Sequence, residues 1–322
     1  MKPHVYCQAV FGRGSGLGNR LFPWARCRIF ASVNAAPILA PKWVSLRVKP
    51  LFRSGTGLWT YPRQVLLAGQ FRPGRADIGH LERRRIERHS QIHPEPDDFS
   101  SPVGGDYGPG RHLVRFEGDR TGLGRFHLLE GRDEFIRTEL RAVTRDRWLR
   151  MADRTAAIPI AVHVRLGDFR AGPAEAHRDE RGGWKGAMRT PLQWYVDALR
   201  VLRELMGSTV PAFVVSDGSP AELGPLLAME KVILVRSRSP VSDLWSLANS
   251  KLLMASIGSS FSAWASFLGQ MPTVVYPLPE AHSFPIRNRY GRFNGFLDPD
   301  APDPLLIESA RDALQPRSRP PG

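Results

Sequence analysis

Between residues 158 and 276 short apolar runs alternate with longer stretches in which apolar positions recur every three or four residues. IPIAVHVR at 158–165, the run through 210–216, 231–236, KLLMASI at 251–257 and 273–276 read as buried strands. The intervening segments 191–205, 220–229, 242–249 and 260–269 read as helices. Strands alternating with helices predict an α/β domain on a parallel sheet. Thr190 followed by Pro191 has the residue types of an N-cap and first helical position.

The first half is less regular. VYCQAVF at 5–11 predicts a strand, and a glycine turn then leads into a helix with Leu21, Ala25, Ile29 and Val33 on one face and Pro23 in its first turn. PILAP and QVLLAGQF are short strand candidates between 37 and 72. The polar region 73–110, with ERRRIERH and two clusters of Pro and Gly, reads as a surface excursion or acceptor-side insertion. HLVRFEG at 112–118 predicts a strand, and 132–150 one basic amphipathic helix with Phe135, Ile136, Leu140, Val143 and Leu149 inward. MADRTAA at 151–157, beyond which the alternation becomes more regular, suggests a boundary between an N-terminal domain 1–155 and a second domain 156–314, with a disordered tail 315–322.

At 322 residues and 42% hydrophobic, the chain can bury two cores. Its apolar runs are too short to span a bilayer, and the start lacks the pattern of a signal peptide, so the expected location is cytoplasmic. The basic helix could also bring the protein to the inner face of a membrane, although such faces are more often simply solvated. Cys7 and Cys27 offer neither a disulfide framework nor zinc-ligand spacing. His89 and His93 share i,i+4 spacing without an acidic or Cys partner, so no metal site is expected. The net charge of +14 favours phosphate in some form: nucleotide, nucleic acid or anionic surface. Nucleic-acid binding is the weaker reading, because no nucleic-acid module is recognisable and the aromatics fall on core faces.

Candidate chemistry collects at strand ends. Alternation along 158–165 places His163 and Arg165 on one face, Gly167 ends the strand and Asp168 opens a loop. Ligands sit at the carboxyl ends of parallel strands, and a guanidinium there suits bidentate capture of a phosphate. AFVVSDG brings Ser216 and Asp217 to the same edge, where Asp217 can serve as a turn residue or in binding. Asp243 lies in the first turn of a helix, favoured by the dipole, and could accept two hydrogen bonds from a guanine edge. Ser259 or Ser260 caps the helix of SSFSAWASFLG and would help cradle a phosphate. GRGSGLGNRLF, with glycines at 12, 14, 16 and 18, lets backbone amides approach an anion but is neither a Walker A loop nor GxGxxG.

Three of these stretches together resemble the fucosyltransferase superfamily, most nearly its bacterial α-1,2-fucosyltransferases. GLGNRLFPWARCRIFA resembles the family's opening loop and helix, with Arg20 where Gln is common. HVRLGDF matches the H-x-R-x-G-D hallmark, and DLWSLANSKLLMASIGSSFSAWASFLG resembles the closing motif, with Ala263 where Trp is usual. TPLQWYVDAL and FVVSDG fall between the second and third motifs in the family's order. The resemblance implies an α/β GT-B fold, with two Rossmann-like domains whose parallel sheets face each other across a cleft. It also implies inverting transfer of fucose from GDP-fucose to a hydroxyl of a glycan or small molecule, with no metal and no cofactor beyond the donor. Arg165 would hold the β-phosphate, His163 and Asp243 would meet the guanosine, and Ser259 and Ser260 would cap the diphosphate. Gly16, Gly18 and Asn19 would close over it from the N-terminal side, and Asp217 is counted with the donor-binding residues. Asp168 would orient Arg165 or act as the base; the loop after the motif offers Glu175, Asp179 and Glu180 as alternatives, of which Glu175, shortly after the motif, is the favoured base. A transferase using another GDP-sugar in natural-product or cell-envelope biosynthesis, or an inactive GT-B scaffold, is the alternative.

Overall fold

The computed structural model describes residues 4–12, 15–43, 67–102, 107–118, 123–167, 169, 188–237, 239–277 and 292–314. The chain divides into two compact units, residues 1–149 with 238–241 and residues 150–237 with 242–322. The return of 238–241 to the first unit has a local cause, since Ser239 Oγ and Val241 N both donate to Gln70 Oε1, at 2.7 and 3.3 Å. Among the described residues no helix is long and apolar enough to cross a membrane.

Among the described residues the first unit is built on four parallel strands, β1 (His4–Val10), β2 (Ile38–Leu39), β3 (Gln91–Pro94) and β4 (Arg111–Glu117), in the order β2-β1-β4-β3. Helix α1 (Leu17–Asn34) joins β1 to β2 and is buried from Leu17 to Ala31 except at Asn19, well beyond the predicted stripe. That burial takes in arginines, which must be paired. Arg26 Nη2 donates to Glu95 Oε2 at 3.1 Å with its Nε on the other carboxylate oxygen, and Arg28 Nη2 reaches Asp77 Oδ2 at 2.7 Å. Both cysteines are buried free thiols.

Three sequence expectations for this unit are corrected. QVLLAGQF forms no strand over its described part; Leu67–Gly69 is a 3-10 turn, and only Phe71 bridges, to Thr144. The supposed excursion at 73–110 contributes to the core instead. ERRRIERH lies in α2 (His80–His89), whose Ile86 packs with Leu39 and Leu113, and β3 follows as an edge strand. His89 therefore ends a helix while His93 lies on a strand, so they do not share a helical face. The single helix expected at 132–150 is two, α3 (Asp133–Val143) and α4 (Asp146–Ala152). Thr144 breaks it by turning extended, with φ −74 and ψ 135, and its hydroxyl donates back to Leu140 O at 2.7 Å. Ile136, Leu140 and Val143 are buried as expected, while Phe135 and Leu149 are half-buried.

Among the described residues the second unit carries six parallel strands: β5 (Ile160–Val164), β6 (Ala212–Ser216), β7 (Val232–Leu234), β8 (Leu252–Ala255), β9 (Thr273–Val275) and β10 (Asn294–Phe296). Their order is β10-β9-β8-β5-β6-β7. The chain starts at the centre, moves outward through β6 and β7, then returns to build on the other side of β5. This is the dinucleotide-fold order, and its reversal falls between β5 and β8. The helices are α5 (Leu192–Met206), α6 (Gly224–Leu227), α7 (Pro240–Ala248), α8 (Ser260–Gly269) and α9 (Pro304–Leu314). β10 and α9 lie beyond the sequence-predicted elements. One face of β5, through Ile160, Val162 and Val164, enters a core with Trp194, Tyr195 and Leu199 of α5 and Leu306 of α9. Thr190 does not cap α5; Pro191 occupies that position, and Thr190 Oγ1 accepts from Ile257 N at 3.1 Å.

Candidate functional site

The reversal point of the second sheet is held open by side chains. β5 and β8 pair from Ile160↔Leu252 only as far as Val162↔Met254. Past that point Ser256 takes over from the backbone ladder. Its buried hydroxyl donates to His163 O at 2.7 Å and accepts from Arg165 N at 2.8 Å. The Tyr195 hydroxyl, 2.8 Å from Ser256 Oγ and 3.1 Å from His163 O, completes the knot. On the β6 side, Ser216 Oγ donates to Val164 O at 2.7 Å. The exit of β5 is thus fastened to both neighbouring strands while its ladder diverges.

Arg165 emerges from this knot. Its Nη1 lies 2.7 Å from Asp217 Oδ2, with the arginine side chain 26% exposed and the aspartate 8%, so the cation is anchored while its head remains accessible. Asp217 Oδ1 accepts from Leu166 N at 2.8 Å. Asp217 therefore holds both the backbone and the guanidinium of the motif. The motif's glycine follows from this, because a Cβ on Gly167 would stand 2.0 Å from Asp217 Oδ2.

His163 points to the opposite face from Val162 and Val164 and is buried, its Nδ1 2.5 Å from Ser262 Oγ and its ring 5.3 Å from that of Phe261. Burial, reinforced by the Arg165 charge, pushes its pKa down to about 3. The imidazole is neutral and adds no positive charge to the site. Ser259, with extended backbone at φ −85 and ψ 110, caps α8 by accepting from Ser262 N at 3.4 Å. Ser260 is the first helical residue and half-buried. The amino end of α8, with its partial positive charge, therefore follows directly from β8 at the strand-order reversal.

Asp243 sits in the first turn of α7. Burial pushes its pKa up to about 7 against the lowering effect of a hydrogen bond from Ser237, and its Oδ1 is buried with no hydrogen-bond partner among the described residues. A buried acceptor left in that state fits a ligand that brings N–H donors. In the first unit, Gly16 precedes α1 as its N-cap, Gly18 is buried and Asn19 exposed in the first turn, all at the carboxyl end of β1. Arg20 closes this turn, its Nε donating to Ser15 O at 3.0 Å. Asp168 and Glu175 lie outside the described residues.

The structure thus gathers His163, Arg165, Asp217, Ser259 and Ser260 around one strand-order reversal, with Asp243 in the same unit. Sequence reasoning missed Ser256, Tyr195 and Ser262. Ser256 is the first polar residue after LLMA, a signal of a kind that many strand ends share.

No protein-family model and no curated protein matches the sequence. Solved structures do match. The NodZ α-1,6-fucosyltransferase soaked with GDP-fucose aligns at TM-score 0.51 and 15% identity over 85% of this chain and 95% of its own. The same enzyme co-crystallized with GDP gives TM-score 0.51 and 14% identity over 86% and 96%. The fucosyltransferase NodZ from Bradyrhizobium gives TM-score 0.49 and 14% identity over 83% and 94%. At these identities the likeness is one of fold, and the α/β fold with parallel sheets expected for a GT-B protein is the one found.

Proposed function

We infer that this chain, which shares its fold with the NodZ fucosyltransferases, is an inverting glycosyltransferase that moves fucose from GDP-fucose to an acceptor hydroxyl. The observation that carries the reading is Arg165, anchored by Asp217 and still accessible, at the reversal between β5 and β8. A strand-order reversal beside a Ser-capped helix suits a nucleoside diphosphate. In the proposed reaction the acceptor oxygen attacks the anomeric carbon as the bond to the β-phosphate oxygen breaks, and GDP leaves with the electron pair. Negative charge grows on that phosphate, and Arg165 with the amino end of α8 stabilises it. His163, being neutral, leaves that task to Arg165 and orients the nucleoside end through shape and hydrogen bonding. Asp243 offers its carboxylate to guanine N–H groups, and Ser259 and Ser260 cap the diphosphate. Asp168 orients Arg165, and Glu175 takes the proton of the attacking hydroxyl. No divalent cation is assigned a part.

The test is thermal stability of the purified protein in EDTA with GDP, GDP-fucose, GDP-mannose and UDP, followed by turnover. Binding to the native state alone adds about 2.7 kcal/mol at a hundredfold excess over Kd. The expected pattern is stabilisation by guanosine nucleotides that Arg165→Ala abolishes, with a loss of roughly 2–4 kcal/mol in transition-state stabilisation. Equal responses to UDP and GDP would overturn the donor assignment, a preference for GDP-mannose would reassign the sugar, and full turnover in Glu175→Gln would remove that residue as base.

A further inference from the structure

The first unit holds a cavity that the donor reading leaves unused. At the carboxyl ends of β3 and β4, Ile92, His93, Pro94, Glu95, Arg115 and Glu117 line about 350 Å³, within the size range of small-molecule sites. The parallel register sets Ile92 beside Leu113 and Pro94 beside Arg115, so alternation places Ile92, Pro94, Arg115 and Glu117 on one face of the sheet.

The charges around the cavity largely cancel. Glu95 is consumed by Arg26, in a pair whose side chains are 3% and 1% exposed. His93 is held below its ordinary pKa by burial and then by His112, whose Nδ1 is 3.1 Å from its Nε2, so it is neutral near pH 7. Arg115 and Glu117 remain, of opposite sign. Arg115 Nε is buried and makes no hydrogen bond among the described residues. Leaving such a donor without a protein partner is costly, and a ligand acceptor relieves the cost.

A site offering one cation, one anion and an apolar flank suits a neutral molecule rich in hydroxyls. The guanidinium donates to hydroxyl oxygen, the Glu117 carboxylate accepts from a neighbouring hydroxyl, and Ile92 and Pro94 meet the C–H face of a sugar ring. A phosphate would face the Glu117 carboxylate, with Arg115 the single uncommitted cation among the described lining residues to offset it. We propose that this cavity is a saccharide subsite of the first unit, holding a neutral sugar of the acceptor; its role as an acceptor subsite rests on the transferase reading above.

The full-length protein would be examined by saturation-transfer NMR against lactose, cellobiose, maltose and N-acetyllactosamine, with glucuronate and inorganic phosphate as anionic probes. GDP affinity would be measured in parallel by calorimetry. At least one neutral sugar should bind, and Arg115→Met and Glu117→Gln should each weaken it by about tenfold, in the range for well-placed polar contacts, with GDP affinity unchanged. Ile92→Trp, at a position 52% exposed and so tolerant of a larger side chain, should block the cavity and abolish sugar binding even if Arg115→Met fails to fold. No binding by any sugar, sugar binding indifferent to these variants, or displacement of the sugar by phosphate would overturn the subsite. Variant-sensitive sugar binding without GDP binding would leave the subsite standing and sink the transferase reading. GDP binding without variant-sensitive sugar binding would do the reverse.

Discussion

Gly167→Ala tests whether Asp217 and the motif backbone are built as one unit. The new Cβ would lie 2.0 Å from Asp217 Oδ2, where real Cβ contacts stay beyond 3.0 Å, so the carboxylate must retreat by at least about 1 Å. Both of its bonds are then at stake: Leu166 N at 2.8 Å, and Arg165 Nη1 at 2.7 Å. A hydrogen bond to a charged group is worth about 1.5–3 kcal/mol, and the partly exposed ion pair adds at most about 1 kcal/mol after screening. We expect the variant to lose about 2–4 kcal/mol in urea denaturation and to bind GDP more weakly, because Arg165 is no longer held. Asp217→Ala removes the collision partner as well as the bonds. In the double variant the methyl group meets no carboxylate, and the combined loss should fall short of the sum by more than about 1 kcal/mol. Additivity to within about 0.5 kcal/mol would refute the claim that residue 167 is glycine because of Asp217.

Two further outcomes follow from buried charge. Asp243 keeps its proton to about pH 7 when folded against an ordinary value of 3.8, so its contribution to stability is full below about pH 4 and is lost as pH rises through 7. Asp243→Asn should therefore gain stability relative to the parent from pH 4 to pH 7, and GDP affinity in the parent should weaken below about pH 7, where the guanine-binding carboxylate is protonated; parallel curves in urea denaturation and a flat calorimetric profile would count against it. Arg26→Met strands the buried Glu95 carboxylate and should cost about 3–5 kcal/mol, most of it recovered in Arg26→Met with Glu95→Gln, as measured by chemical denaturation.

Periodicity reveals most of the second unit because its central strands β5, β6, β8 and β9 are buried on both faces, so each carries an apolar run that matches its environment. Ser259 was legible as a cap candidate because its hydroxyl bonds an amide only three residues away. In the first unit the same reasoning fails where tertiary contacts override local pattern. The helix expected through 132–150 breaks at Thr144, whose backbone pairs with Phe71, more than seventy residues earlier in the chain. ERRRIERH looks like a solvated run because seven of its eight residues are charged or His, yet Ile86 alone suffices to seat it on the sheet. The burial of Arg26 was equally invisible, since its partner Glu95 lies in a region that reads as surface.

What the sequence could not supply at the site is how Arg165 is held in place. The motif identifies the cation, but the groups that fix it come from three other strands and helices: Asp217 after β6, Ser256 after β8 and Tyr195 on α5. Ser256 and Tyr195 have no spacing to Arg165 that local pattern could read, and Asp217 is legible only as a residue at the same sheet edge, not as the partner of the guanidinium. Each follows from the sheet order, in which the fourth strand of the unit returns to lie beside the first. The return brings Ser256 beside the end of β5, where the ladder stops after Val162, and a hydroxyl with both donor and acceptor capacity can serve the orphaned His163 carbonyl and Arg165 amide together. The divergence of the strands that makes room for a ligand also creates the unpaired backbone groups, and so a polar residue at this position is required by the opening itself, whatever the ligand.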